Sequence, residues 1–139
     1  KDWSLLRADA MRLLQEESEL EEIVRLVGID ALSASERLVL EAAKSIREDY
    51  LHQNSFHDVD TYTSLHKQYR MLKLIMSYYY KGKKAIEQGA GINELFNLPV
   101  RYRIGRAKYT NEDEVDKVFD SIEEDLDQQM ESLVSKEVG

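Results

Sequence analysis

Hydrophobic residues recur along this chain at intervals of three and four, the spacing of an amphipathic α-helix. The first segment carries one such stripe, with acidic side chains on its other faces: Leu6, Leu13, Leu20, Ile23, Val24, Leu26 and Val27. Gly28 supplies a helix stop. Ser33 and Glu36 fit a capping box, in which a hydroxyl and a carboxylate satisfy amide donors at a helix start. A second helix is therefore predicted from Ser33.

The second helix is predicted to end near residues 53–55, where polar turn formers accumulate. Its apolar positions follow at intervals of four: Leu38, Ala42, Ile46 and Tyr50. A third helix is predicted from Thr63 to the glycines at 89 and 91. Its stripe comprises Leu65, Tyr69, Leu72, Met76 and Tyr79.

A short turn over residues 92–97 is expected next, followed by Pro99 at a first helical position and a basic segment over 101–108. Thr110 or Asn111 is predicted to cap the last helix. Its apolar face reads Val115, Phe119, Ile122, Leu126 and Leu133, which suits either packing on the bundle or extension toward another subunit. No strand alternation or internal repeat appears, so the prediction is an all-α fold, one bundle of about five to six helices over residues 1–139.

Charge is strongly segregated along the chain. Residues 1–66 carry 7 Lys/Arg and 14 Asp/Glu, residues 67–108 carry 10 and 2, and residues 109–139 carry 2 and 11. This pattern favours packing of the basic middle against the acidic ends, or contact with an acidic partner, over a uniformly repelling acidic tail. The ordinary alternative is that most of these charges lie on solvated faces, where exposed pairs contribute little. Basic and tyrosine side chains are interleaved in the middle block, as in some nucleic-acid binders, but the acidic flanks would repel phosphates. No nucleic-acid partner is expected.

Catalytic and metal-binding patterns are scarce. The chain has no Cys, which excludes disulfides and thiolate metal sites. His52, His57 and His66 lack the i, i+4 spacing that places two imidazoles on one helical face, so no metal site is expected. Gly82-Lys83 is not part of a phosphate-binding loop, because the required glycines and the following Ser or Thr are missing. The chain alone is therefore expected not to hydrolyse ATP.

Membrane insertion is not expected either, since no apolar run approaches the roughly 18 residues of a spanning helix. The chain opens at Lys1 and enters an amphipathic pattern at once, which suggests a piece of a longer protein. Trp3 and the exposed apolar residues of the first helix are candidate contacts for such a preceding part.

The stretch over residues 26–69 resembles one domain in particular. The run Gly28-Ile29-Asp30-Ala31-Leu32-Ser33, followed by Glu36-Arg37-Leu38, is similar to a helix-loop-helix of the C-terminal helical domain of the catalytic A subunit of archaeal-type and vacuolar-type rotary ATPases. The resemblance covers about residues 3–110. It implies a domain detached from its nucleotide-binding domain, which would hold the phosphates.

Two groups of site residues follow from this resemblance. In related subunits the segment after the second helix contacts the adenine of the bound nucleotide, and the matching residues are Phe56 and Tyr62, with Ser55 bordering the pocket. The loop between the first two helices faces the rotating central stalk, and the matching residues are Asp30, Ala31, Leu32, Ser33, Ala34, Ser35 and Glu36. Ala31, Ala34 and Ser35 stand where the F-type relative has acids, so contact by shape is expected rather than attraction by dense charge.

The resemblance also implies cofactors, partners and a location. The parent protein would bind ATP or ADP with Mg, whereas this chain alone is expected to bind neither tightly. Partners would be the B-type subunit, the central-stalk subunits and its own upstream nucleotide-binding domain, in a peripheral sector at the cytoplasmic face of a proton-transporting membrane complex. An alternative function, from the amphipathic pattern alone, is an independent helical interaction or adaptor module.

Overall fold

The computed structural model describes residues 2–51 and 63–138, with side chains as far as residue 135. This described part contains six α-helices and no strand, which confirms the all-α prediction. The helices are α1 (Asp2–Val27), α2 (Ala34–Ser45), α3 (Leu65–Glu87), α4 (Ile92–Phe96), α5 (Val100–Arg106) and α6 (Val115–Val138). A π-helical turn, Ile46–Leu51, continues α2, and 3₁₀ turns occupy Ile29–Ala31, Ala107–Tyr109 and Glu112–Glu114.

The long helices pack around α3, which contacts α1, α2 and α6. The Tyr69 hydroxyl donates to Asp2 at 2.7 Å, and the Tyr80 hydroxyl donates to Asp9, so α1 runs parallel to α3. α2 returns antiparallel to both. Helix α5 lies antiparallel to α6, where the Val100 amide donates to Gln129 at 2.9 Å. The last helix therefore packs on the bundle, one of the two placements left open by its sequence.

One hydrophobic core joins these helices, and the predicted stripes supply most of it. Among the largest fully buried side chains are Leu13, Leu38, Ile46, Leu72, Met76, Phe119, Ile122 and Leu126. Gly82 explains a close approach at the centre, because a Cβ there would lie 3.1 Å from Leu95 and 3.3 Å from Leu38. A larger residue at this position would push α2 and α4 away from α3.

The prediction that the apolar stripes are buried is wrong for some of their residues. Leu26, Val27 and Leu65 are 71%, 68% and 67% exposed, and Ile23 is also exposed. Leu26 and Val27 form the last turn of α1, at the free end of the α1–α2 pair. Leu65 lies one turn before Tyr69, which already meets the first helical residue of α1. Periodicity identifies the face that points inward, but it does not show where the neighbouring helix ends.

Several helix boundaries follow their sequence signals. Gly28 ends α1 and Ser33 caps α2, as predicted. Helix α3, predicted to start near Thr63, begins at Leu65 and is capped by Ser64, with the Lys67 amide donating to the Ser64 hydroxyl at 3.0 Å. The predicted turn over residues 92–97 is largely the short helix α4.

The prediction that Thr110 or Asn111 caps the last helix is wrong. A 3₁₀ turn, Glu112–Glu114, separates Asn111 from α6, and the Asn111 side chain makes no capping hydrogen bond.

The basic middle of the chain packs against both acidic ends, which is one of the arrangements that the charge pattern favours. Arg70, Lys81 and Arg103 pair with Asp120, Asp127 and Asp125 of α6 at 2.8, 3.1 and 2.5 Å. Arg101 and Lys108 reach back to Glu41 and Asp49. Blocks of opposite charge that are distant in the sequence therefore meet in the folded chain. None of the helices in the described part has the length and apolar character needed to cross a bilayer.

Candidate functional site

The residues from 26 to 36, which join α1 to α2, form the first candidate site and are called the tip below. Gly28 has φ 94°, a backbone conformation that side chains with a Cβ rarely adopt. Its amide donates to the Val24 carbonyl at 2.8 Å and closes α1. The amides of Ala31 and Leu32 then donate to the carbonyls of Gly28 and Ile29 at 3.2 and 3.0 Å, which forms the 3₁₀ turn.

The second half of the tip is fixed by the capping box. The Glu36 amide donates to the Ser33 hydroxyl at 3.2 Å, and the Ser33 amide donates to the Glu36 carboxylate at 2.9 Å. Leu32 turns its side chain into the core and is 5% exposed. Backbone hydrogen bonds and one buried leucine therefore give the tip a defined shape.

The outer surface of the tip combines exposed apolar side chains with one fully exposed acid. Leu26, Val27 and Ile29 are exposed hydrophobic residues. Asp30 is 98% exposed at its side chain, and Arg37 donates to it at 3.2 Å. Since exposed pairs of this kind contribute little, the tip offers shape and apolar area rather than a strong field.

The opposite end of α2 is held by charge, in a cluster called the charged corner below: Asp49, Lys67 and Lys108 with the carbonyls of Lys108 and Thr110. Lys108 Nζ lies 2.5 Å from the Asp49 carboxylate, and both side chains are largely buried. Lys67, also buried, donates to the carbonyls of Lys108 and Thr110 at 2.9 and 2.7 Å. The corner thus joins α2, α3 and the 3₁₀ turn after α5.

Burial raises the pKa of the Asp49 carboxyl, and the hydrogen bond from Lys108 opposes that rise. This ion pair stabilises the fold most when both partners are charged. Removal of the lysine would leave a desolvated carboxylate without its cation, which destabilises the folded state. Nearby, Arg47 donates two hydrogen bonds to Glu17, at 2.6 and 3.1 Å, and ties the end of α2 to the middle of α1.

Comparison with protein families gives one match, over residues 1–96, to the C-terminal domain of V and A type ATP synthase. The chain belongs to this family. Its similarity to individual relatives runs further, through α5 and α6. It is 70% identical over 138 residues to the V-type ATP synthase alpha chain of Acetivibrio thermocellus, covering 99% of the chain and 23% of the relative.

Two further members of the V and A type ATP synthase family are similar over almost the whole chain. The V-type ATP synthase alpha chain of Thermoanaerobacter pseudethanolicus is 59% identical over 96% of the chain and 22% of the relative. That of Clostridioides difficile is 56% identical over 97% of the chain and 23% of the relative. The chain thus spans less than a quarter of the length of these relatives. Family membership favours the ATP synthase domain over the adaptor alternative.

The seven residues predicted to contact the stalk are all described and lie together in the tip. Six of them, all but Leu32, are exposed or half-buried. The predicted adenine-side residues Ser55, Phe56 and Tyr62 lie outside the described residues, as do His52 and His57. His66 is described and lies 2.6 Å from Asp116. In the two described ranges, no group of three or more His, Asp or Glu side chains could hold a metal ion.

Sequence reasoning missed the charged corner. Asp49 and Lys108 are separated by 59 residues, and neither belongs to a recognisable motif. Lys67 lies in the first turn of α3, where a lysine is normally a solvated surface residue. The one available signal was the opposite charge of the two blocks, which predicts attraction but not its partners.

Proposed function

We propose that the chain is the C-terminal helical domain of the catalytic subunit of a proton-translocating V/A-type rotary ATPase, in which the tip transmits movement of the nucleotide site to the central stalk. The observation that carries the proposal is the construction of the tip. It has a backbone fixed by the capping box and a buried Leu32, yet it exposes apolar side chains at Leu26, Val27 and Ile29.

A mechanical contact needs a surface that keeps its shape under load. The tip connects α1 and α2, which the Arg47–Glu17 pair joins further along. Displacement of the bundle would therefore move the tip as part of one packed body. Asp30 supplies one exposed negative charge, and the neutral Ala31, Ala34 and Ser35 make contact by shape the better account.

On the nucleotide side, we assign the adenine wall to Phe56 and Tyr62, with Ser55 at its border. An aromatic ring against the base offers stacking without base-edge hydrogen bonds. The phosphates of ATP or ADP and the Mg ion would be held by the preceding nucleotide-binding domain of the same protein. This division of labour agrees with the missing phosphate-binding loop in the present sequence.

The proposed assembly includes that preceding domain, the B-type subunit and the central-stalk subunits, in a peripheral sector at the cytoplasmic face of the membrane. Contact with the preceding domain is supported at the start of α1. Trp3 is half-buried and packs edge-on against Tyr69. Leu5 and Met11 are exposed on the same helix.

Cysteine cross-linking in the assembled enzyme tests the tip. The chain has no native Cys, so Asp30→Cys introduces a unique thiol in this domain. A zero-length or short cross-linker should join the alpha chain to a central-stalk subunit in Asp30→Cys and not in the control Lys117→Cys, whose residue is exposed at the start of α6, at the opposite end of the bundle. Equal cross-linking at both positions, or none at Asp30→Cys, would overturn the assignment.

The adenine wall is tested separately by kinetics of the same assembled enzyme. Phe56→Ala should raise KM for ATP about fivefold to a hundredfold, since stacking of one base contributes roughly 1–3 kcal/mol, and Phe56→Tyr should retain most of the affinity. An unchanged KM in Phe56→Ala would remove Phe56 from the site. The isolated 139-residue chain should show no ATP hydrolysis and no calorimetric binding tighter than roughly micromolar.

A further inference from the structure

Helix α5 and the 3₁₀ turn after it expose Tyr102, Arg106 and Tyr109, which are called the Tyr–Arg stripe below. Their spacing of four and then three places them on one face. Tyr102 is 73% exposed, and the Arg106 guanidinium lies 4.7 Å from the centroid of the Tyr109 ring. Tyrosine and arginine are among the residues enriched at the energetic centre of protein interfaces. The stripe lies beyond residues 1–96, the range of the family match.

Two hollows flank the stripe and share Tyr102 and Arg106 as walls. One, of about 410 Å³, lies between α2 and α5 and has Lys44 and Glu48 at its other side. The second, of about 270 Å³, lies between α5 and α6 and includes Ala107, Val118 and Ile122. The first hollow is charged and the second has apolar side chains in its wall, so a bound segment could place different side chains on either side of Tyr102.

The cations around the Tyr–Arg stripe differ in whether they form ion pairs with carboxylates. Arg101, Arg103 and Lys108 are paired within the protein, at 3.0, 2.5 and 2.5 Å from carboxylates. Lys44 and Arg106 are exposed, and neither has an ion pair within residues 2–51 and 63–135. A chain with net charge −8 thus presents two cations that no carboxylate neutralises in the described residues, one of them packed over the Tyr109 ring. Such a surface complements an acidic ligand.

We propose that the Tyr–Arg stripe is a docking surface for an acidic amphipathic segment of a partner protein. Carboxylates of the segment would meet Lys44 and Arg106, and an apolar side chain would enter the hollow between α5 and α6. Tyr102 would lie between them and supply a rigid, apolar contact area. This proposal does not depend on the stalk or adenine assignments, because none of their residues lies in the stripe.

A peptide titration tests the proposal. The probe is a fluorescein-labelled synthetic peptide with leucines at helical spacing and glutamates elsewhere, titrated with the 139-residue chain at low salt and followed by fluorescence anisotropy. Saturable binding is expected. Arg106→Glu and Lys44→Glu should each weaken it about tenfold, and Tyr102→Ala about fivefold, whereas Tyr102→Phe should bind like the original chain.

Lys83→Glu is the matched control, since it reverses one exposed lysine on α3, outside the stripe, and it should change the dissociation constant by less than about twofold. Circular dichroism and thermal unfolding identify any variant that loses its fold. Lys44 lies on α2 and Arg106 on α5, so the two variants test the docking surface independently. Several results would overturn the proposal: no saturable binding, equal weakening by Lys83→Glu, binding unchanged in both Lys44→Glu and Arg106→Glu, or a single-stranded oligonucleotide that binds the stripe more tightly than the peptide.

Discussion

The two ends of the α1–α2 pair are held together by different interactions. At the tip, hydrogen bonds of the capping box and one buried leucine define the shape, and the single ion pair, Asp30–Arg37, is exposed. At the charged corner, two largely buried lysines and a buried aspartate join three elements that are far apart in sequence. The backbone of the tip is therefore shaped by neighbours along the chain, with Leu32 packed into the core, whereas the corner depends wholly on the tertiary fold.

This difference has a mechanical consequence. We expect the tip to keep its shape when its outer face contacts another protein, because that shape is fixed by hydrogen bonds between close neighbours in the chain and by the buried Leu32. The corner fixes the far end of α2 to α3 and to the segment after α5, so that force applied at the tip is resisted by the whole bundle. One end suits contact and the other suits anchorage.

Removal of the lysine at the charged corner should have the largest effect. Lys108→Ala leaves the Asp49 carboxylate desolvated and without its cation, and we expect a loss of about 3 kcal/mol in the free energy of unfolding at neutral pH. Chemical denaturation followed by circular dichroism measures this loss. Lys83→Ala, at an exposed position of α3, is the control and should change stability by less than about 0.5 kcal/mol.

The pH dependence sharpens this prediction. Because burial raises the folded-state pKa of Asp49, and loss of Lys108 removes an opposing influence, the carboxyl of the variant should take up a proton as the pH falls below neutrality. The folded variant would then bind more protons than its unfolded chain. Its deficit relative to the original protein should shrink toward acidic pH. A deficit that stays constant from neutral to acidic pH would contradict an electrostatic origin.

Truncation of the buried leucine at the tip should come next. Leu32→Ala removes a side chain that is 5% exposed, and we expect a cost of about 2 kcal/mol, near the lower limit for such changes because the site lies at the end of the core. Leu26→Ala is a matched control at the same tip, since its side chain projects into solvent. Equal costs for the two variants would show that Leu32 does not anchor the tip.

The two ends of the α1–α2 pair differ in how much of their structure can be predicted from the sequence. The tip could be predicted in detail, because Gly28, Ser33 and Glu36 act on neighbours within three or four residues. The exposure of Leu26 and Val27 could not be predicted, since it depends on where α1 extends beyond the helices that pack against it. The charged corner could not be predicted either, because the choice of Asp49 for Lys108 depends on how α2 and α5 are placed by the core.

The capping box itself should contribute less than the buried leucine. Ser33→Ala removes the acceptor for the Glu36 amide and should cost about 1 kcal/mol of unfolding free energy. Glu36→Ala removes the reciprocal bond, and the double variant should cost less than the sum of the single ones because the two bonds support each other. Ser35→Ala, in the same turn and without a capping role, should be neutral or slightly stabilising. Full additivity would argue against a coupled box.

The ion pairs of Asp116 near the charged corner should matter least, because this carboxylate is 70% exposed, although their distances are similar to that of the buried pair. Asp116 accepts hydrogen bonds from His66 and Arg70 at 2.6 and 2.9 Å, and the bond with His66 lowers its pKa. A carboxyl with a lowered folded-state pKa adds stability above its unfolded pKa, and this contribution is lost as the pH falls through the folded value. Asp116→Asn should therefore lower the thermal midpoint slightly at neutral pH, and not at a pH where the carboxyl is protonated.

Salt separates this effect from that of the buried pair. The small difference between Asp116→Asn and the original chain should diminish in high salt, because solvent ions screen exposed charges. The Lys108→Ala deficit should persist, since both partners of that pair are largely withdrawn from water. Asp113→Asn, at an exposed carboxylate three residues earlier, controls for the change in net charge alone. If Asp116→Asn were as damaging as Lys108→Ala, burial would not be the property that distinguishes the charged corner from the pairs around it.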